Sequence, residues 1–315
     1  MDNAKDIVLI ANEFHPETVA LLDAQYTTHH LWELSPAAQK DLIRSLDGQC
    51  RAVASASWNC DPLIYELKSL EIISAFGVGV DGIDFDATAA LNCKVSNTPD
   101  VLNDAVADLA IALILATTRN LVNADRFVRD GQWTGGPFPF GSSLAGKTLG
   151  IIGLGRIGEA IAARALPFHL QVAYHNRQQK PELPYAYYDS IEALAAASDI
   201  LLCMLPGGQA TTNLINADVF AKLGPDGVFI NVGRGNSVDE AALCKALQDG
   251  TIKAAGLDVY KNEPRVPDCL LQLDNVVLLP HIGSATVETR RAMGQLVIDN
   301  LAAFFANKPL LTEVS

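Results

Sequence analysis

Three polar residues in the last third of the chain each stand at the end of an apolar run. Arg234 follows Phe229-Ile230-Asn231-Val232-Gly233, Glu263 comes just after Ala255-Gly256-Leu257-Asp258-Val259-Tyr260, and His281 follows Val277-Leu278-Leu279-Pro280. An imidazole that titrates near neutrality can pass a proton to a developing oxyanion, and a carboxylate partner favours its charged form and fixes its tautomer. A guanidinium stays charged at every working pH, so it can hold a carboxylate and polarise a carbonyl. Together these residue types suit reduction of a ketone, with hydride arriving on carbon and a proton on oxygen. Taken singly, each has an ordinary use: Arg234 in a salt bridge, Glu263 as a loop acid, His281 at a strand end. As a set, Arg234, Glu263 and His281 are the expected catalytic residues.

A second constellation lies upstream. Leu149-Gly150-Ile151-Ile152-Gly153-Leu154-Gly155-Arg156-Ile157-Gly158 is an apolar strand running through G-x-G-x-x-G into a helix. Gly153 permits the tight turn, Gly155 lets a pyrophosphate approach the backbone, and Gly158 lets helix and strand pack closely. The helix start then offers unpaired amides to the anion. This pattern points to a dinucleotide, with Gly153, Leu154, Gly155, Arg156, Ile157 and Gly158 around it. The next strand ends Tyr174-His175-Asn176-Arg177, where an NAD site usually has an acid for the ribose hydroxyls. Asn176 and Arg177 instead offer donors and a positive charge, which suit the extra phosphate of NADP. NADP is thus expected over NAD, with NAD still possible.

Elements able to position these residues are visible in the pattern of the whole chain. Short runs rich in Val, Ile and Leu alternate with amphipathic stretches: Ile7–Ala11, Ala52–Ser55 and Glu71–Ala75 as strands, with Pro16–Ala24, Pro36–Leu46 and Pro62–Leu67 as helices between them. A second series of strands runs through 148–153, 171–174, 200–205, 228–232, 254–259 and 276–279. Alternation of this kind implies parallel sheets covered on both faces. One long helix is expected from Val101 to about Arg129, then a Gly-, Pro- and Phe-rich connector, Gly131–Ser143. A last helix, Ala285 to Phe305, should return to pack on the first series.

The 315 residues are 49% apolar and 19% charged, enough for two packed cores. The formal charge of -13 speaks against nucleic acid and against anionic membranes. Six cysteines without C-x-x-C spacing read as reduced core thiols, and the start, Met1-Asp2-Asn3-Ala4-Lys5-Asp6, does not read as a signal peptide. Leu109–Ala116 is too short to span a bilayer. A cytoplasmic enzyme is expected. His29 and His30 are neighbours on a strand and point to opposite faces, while His15, His169 and His175 have no ligand-spaced companions, so no metal is expected.

With these motifs the chain resembles the D-isomer-specific 2-hydroxyacid dehydrogenases over nearly its whole length. The resemblance rests on Val78-Gly79-Val80-Asp81-Gly82-Ile83-Asp84, Asn97-Thr98-Pro99, Gly146-Lys147-Thr148, Asn231-Val232-Gly233-Arg234-Gly235, Gly256-Leu257-Asp258-Val259 with Glu263-Pro264, and Pro280-His281-Ile282-Gly283-Ser284. It implies an α/β fold of two Rossmann-like doubly wound parallel-sheet domains. A dinucleotide domain, 100–285, would be inserted into a substrate domain made of 1–99 and 286–315. It also implies Asp258 at the nicotinamide amide, and Leu205, Pro206, Thr211, Val232 and Gly283 along the cofactor. The backbone of Val78 and Gly79 would hold the substrate carboxylate, with Arg234 and His281 on the rest of the substrate. Within the family the chain is most similar to NADPH-dependent reductases of glyoxylate and hydroxypyruvate, or of hydroxyphenylpyruvate. Asn103 and Gly208 depart from the Thr common at those positions. Trp133 resembles an aromatic that in related reductases reaches into the partner subunit's site, and it suits a dimer anchor equally well. A homodimer is expected. A reading of a different class, an NAD(P)-sensing corepressor that keeps the triad, is distinguished by peptide clefts and disordered tails.

Overall fold

The computed structural model describes residues 5–314; the reading of Met1–Ala4 lies outside them. In chain order the strands are β1 (Ile7–Ile10), β2 (Thr27–His30), β3 (Ala52–Ala56), β4 (Ile72–Phe76), β5 (Lys94–Ser96), β6 (Thr148–Ile152) and β7 (Gln171–His175). They continue as β8 (Ala186–Tyr187), β9 (Ile200–Cys203), β10 (Val228–Asn231), β11 (Ala254–Leu257), β12 (Val276–Leu278) and β13 (Glu313–Val314). The chain divides into two compact units, 1–102 with 286–315, and 103–285. Each unit is an α/β layer structure around one sheet.

The first unit's sheet has the order β13-β5-β4-β3-β1-β2, parallel except where β13 runs antiparallel to β5. From β1 the chain goes outward to β2 and then crosses to β3, so the winding reverses between β1 and β3. Strands β3 and β4 are buried along their whole length, as strands covered on both faces must be. Prolines 16 and 36 open helices Pro16–Gln25 and Pro36–Leu46, where a missing N–H costs nothing. The last helix, Val287–Phe305, packs on β4, and Ser74 Oγ donates to the Val297 carbonyl at 3.1 Å. The expected return of this helix to the first series is therefore seen.

In the second unit the order is β12-β11-β10-β9-β6-β7-β8, parallel throughout. Successive residues face opposite layers. Ile151, Leu202 and Ile230 join one core with Ala110 and Ile114, while Ile152, Leu201 and Phe229 join the other with Phe220 and Leu243. Here the winding reverses between β6 and β9, and the crevice at such a point, outside the carboxyl ends of the strands, is where doubly wound sheets take ligands.

Three sequence expectations are corrected. The long helix from Val101 is two, Asn103–Thr118 and Leu121–Arg129, bent by 60°. Thr117 and Thr118 turn their hydroxyls back onto the Leu113 and Ile114 carbonyls at 2.8 Å, and Asn120 takes a left-handed backbone (φ 51°), which ends the first helix. Pro62–Glu66 is a 3-10 helix rather than an α-helix. The thiols Cys50, Cys60, Cys93 and Cys203 are free and buried, but Cys244 and Cys269 form a disulfide, with Cα atoms 6.1 Å apart. No single helix among the described residues is long and apolar enough to cross a membrane.

Candidate functional site

Strand β6 ends in the glycine loop. Gly153 has φ 92°, and a Cβ there would lie 2.7 Å from the Met204 carbonyl oxygen at the end of β9, so the turn is closed to other residues. Gly155 is the opposite case: a Cβ would meet nothing within 4 Å. Gly155 precedes helix Arg156–Ala165 without any side-chain cap, so first-turn amides face an open approach, which fits a pyrophosphate. Gly158 is buried, and a Cβ there would lie 2.8 Å from the Gly153 carbonyl oxygen.

Asn176 has a structural use besides the expected one. Its Oδ1 accepts from the Leu154 amide at 2.6 Å and its Nδ2 donates to the Leu154 carbonyl at 3.2 Å. The side chain thus fastens the glycine loop to the end of β7, with one of the two Nδ2 hydrogens committed to Leu154. Arg177, next along, is exposed. Lys180 is held to Glu159 at 2.6 Å, in the first turn of the same helix. On the other side of the crevice, Leu205 and Pro206 follow β9, and Thr211 Oγ1 donates to the Pro206 carbonyl at 2.8 Å, shaping that loop. Val232 is buried at the end of β10.

The catalytic candidates come from the ends of β10, β11 and β12. Asn231, the last residue of β10, accepts from the Gly233 amide at 3.1 Å and donates to the Arg234 carbonyl at 3.1 Å, which curls the chain and sets out Arg234. Gly235 comes next, where a Cβ would stand only 1.9 Å from the Tyr260 carbonyl carbon, so only glycine lets the Arg234 loop lie on the loop that carries Glu263. Glu263 Oε1 accepts from the Tyr260 amide at 2.9 Å, and Oε2 meets His281 Nδ1 at 2.6 Å. Burial by itself would raise the Glu263 pKa. The hydrogen bonds from His281 and the Tyr260 amide, with the charges of His281 and Arg234, outweigh it and hold the carboxyl below its ordinary range. Glu263 is thus ionised through the neutral range.

Under His281 lies Asp258, 1% exposed. Its carbonyl accepts from the His281 amide, and its two carboxyl oxygens accept from the Ile282 and Gly283 amides, all at 2.8 Å. Burial pushes its carboxyl above the ordinary range, against the pull of those amides and of the His281 charge. These bonds hold His281 in a left-handed backbone (φ 54°) that a residue with a side chain adopts only when its surroundings fix it. Asp258 therefore orients His281, a use the sequence did not signal. Tyr260 was missed too: its hydroxyl donates to the Leu279 carbonyl at 3.0 Å and joins the ends of β11 and β12. An apolar hollow of about 240 Å³ opens beside the pair, walled by Tyr260, Val266, Leu271, Leu278 and Leu279. Val78 and Gly79 belong to the first unit, in the turn that leaves β4, and Asn97 Nδ2 donates to the Val78 carbonyl at 2.8 Å.

Residues 111–283 match the family model described as D-isomer specific 2-hydroxyacid dehydrogenase, NAD binding domain. The chain is 49% identical to a hydroxyphenylpyruvate reductase of Plectranthus scutellarioides over 278 residues, 88% of this chain and 87% of the relative. It is 48% identical to glyoxylate/hydroxypyruvate reductase A of Arabidopsis thaliana over 275 residues, 87% of this chain and 86% of the relative. Among solved structures it resembles an NADPH-dependent glyoxylate/hydroxypyruvate reductase of Sinorhizobium meliloti, in complex with NADP and malonate. The TM-score there is 0.91 at 43% identity, covering 99% of this chain and 97% of that one.

Proposed function

The chain belongs to the D-isomer specific 2-hydroxyacid dehydrogenase family and is an oxidoreductase of that class, and from this premise we propose that it reduces small 2-oxo acids of the glyoxylate and hydroxypyruvate type to D-2-hydroxy acids, with NADPH preferred over NADH. The observation that carries the reading is the His281–Glu263 contact of 2.6 Å, held on a turn that Asp258 braces from below.

When bound, the nicotinamide supplies the hydride. Glu263 takes Nδ1 of His281, so Nε2 is the ring nitrogen that delivers a proton to the substrate oxygen. Arg234, whose charge also bears on Glu263, polarises the carbonyl and holds the acid. The amides of the Val78–Gly79 turn are assigned to the substrate carboxylate. Arg177 supports the preference for NADPH, because an exposed guanidinium at the end of β7 stands where an acid would serve NADH.

A second reading is favoured by the 49% identity to a hydroxyphenylpyruvate reductase: an aryl-pyruvate as the main substrate. Initial rates with NADPH and with NADH, for glyoxylate, hydroxypyruvate and hydroxyphenylpyruvate, separate the two. The first reading requires the highest kcat/KM with NADPH and one of the small acids; a lead for the aryl acid transfers the assignment to the second. Absence of turnover with all three removes both.

A further inference from the structure

The first unit has a winding reversal of its own, between β1 and β3, and the carboxyl ends of its strands form the ligand edge of that sheet. Two polar groups on this edge lack partners. Ser57 follows β3 by one residue and is completely buried, yet its Oγ has no hydrogen-bond partner among the described residues. It lies against the start of the Gly77-Val78-Gly79 turn, where a Cβ on Gly77 would stand 2.0 Å from Ser57 Oγ.

Arg290 is the second. It sits in the first turn of helix Val287–Phe305 and lays its guanidinium over the ring of Phe76, with Cζ 5.5 Å from the ring centroid. Phe76 is the last residue of β4 and the one before the turn. Arg291 is paired with Glu17, but Arg290, though partly buried, has no carboxylate or carbonyl partner among the described residues. Burial alone acts on it and draws its pKa below the ordinary arginine value. A partly buried cation without a counter-ion and a buried hydroxyl without a bond both carry a desolvation cost that an anionic ligand would offset. The aromatic face beneath the guanidinium supports the cation without neutralising it.

We propose that Arg290 and Ser57 complete the Val78–Gly79 turn as a seat for the substrate carboxylate, and that Arg290 makes the enzyme select 2-oxo acids over neutral ketones and aldehydes. The inference rests on the oxo-acid reading above. Arg290 acts on recognition rather than on proton transfer, so its loss should appear in KM.

The test compares wild type with Arg290→Gln, Arg290→Lys and Ser57→Ala, using glyoxylate and its neutral amide at saturating NADPH, with thermal midpoints recorded. A charge-assisted contact of this kind is worth about 10- to 100-fold. Arg290→Gln should raise KM for glyoxylate by that factor, with kcat within about threefold and kcat/KM for the amide nearly unchanged. Arg290→Lys should recover most of the loss, and Ser57→Ala should cost severalfold. Equal losses on acid and amide, or a fall in kcat and thermal midpoint at constant KM, would mean that Arg290 only packs on Phe76, and would overturn the proposal. Oxalate, titrated calorimetrically into wild type and Arg290→Gln, provides a readout without turnover. Binding lost in the variant supports the seat even if wild type reduces no oxo acid, and equal binding overturns it.

Discussion

Replacing Glu263 by Gln removes one charge and leaves an amide oxygen that can still accept from His281 Nδ1–H, so the change isolates electrostatics from orientation. The contact is 2.6 Å, which puts the charge centres about 4 Å apart. At that separation, Coulomb attraction is about 1 kcal/mol in water and about 4 kcal/mol at an effective dielectric constant near 20. The side chains are 29% and 34% exposed, so solvent screening keeps the value near the lower end. A loss of about 1.4 kcal/mol from the step in which His281 delivers its proton corresponds to about tenfold in rate. At pH 7.5 kcat should fall by about tenfold with little change in KM. The pKa of Glu263 is held below the ordinary 4.5, so the carboxylate stays charged across the assay range and only its removal takes that charge from the pair. His281→Ala should lose about 10²–10⁴-fold, and the double variant should be no worse than His281→Ala, because the pair acts as one unit. Rates of NADPH oxidation from pH 5 to 9 read all three variants. A Glu263→Gln profile that superimposes on wild type, or losses that add in the double variant, would refute the reasoning.

Arg177→Asp should weaken NADPH use at least tenfold more than NADH use, since it deletes a phosphate contact and adds repulsion; parallel kcat/KM series with the two cofactors check this, and equal losses count against it. Gly235→Ala would place a methyl group 1.9 Å from the Tyr260 carbonyl carbon, a clash with backbone that should cost about 1–3 kcal/mol or more and displace both Arg234 and Glu263. Its thermal midpoint and turnover should fall together, and an unaltered enzyme would mean that the two loops separate at no cost. The connector exposes Trp133 (67%) and Phe140 fully, and Val128 on the preceding helix is 54% exposed, so light scattering should give a dimer mass at micromolar concentration; a monomer mass removes that expectation.

What could be read from the sequence was local in origin. The buried strands showed as Val, Ile and Leu runs, and the glycine loop and the three catalytic candidates showed because each stands directly after such a run. Features decided in three dimensions were not legible. Nothing in Asn176 announces that its amide group clasps the backbone of Leu154, 22 residues earlier. Gly235 reads as a turn glycine until Tyr260 is placed against it. The disulfide needs Cys244 and Cys269, 25 residues apart, to face each other across the strand and loop between them. The break at Asn120 escaped because Thr117 and Thr118 keep the apolar spacing of a helix while their hydroxyls prepare its end. Asp258 was noticed as a motif residue, but its bracing of His281 depends on amides from a strand end more than 20 residues away.

The first unit is assembled from both ends of the chain, and this sets an order on its synthesis. Residues 103–285 are contiguous and can close their sheet once they have emerged. Residues 5–102 cannot finish theirs, because β4 awaits the Val297 carbonyl, Glu17 awaits Arg291, and the edge of β5 awaits β13. At about 5–20 residues per second, the intervening segment of roughly 180 residues takes about ten to forty seconds to make. Throughout that interval the Ser74 face of β4 lacks its covering helix and the β5 edge is unpaired, the condition in which a nascent chain is most open to wrong partners. The amino-terminal hundred residues are therefore the part of this enzyme with most to gain from a chaperone.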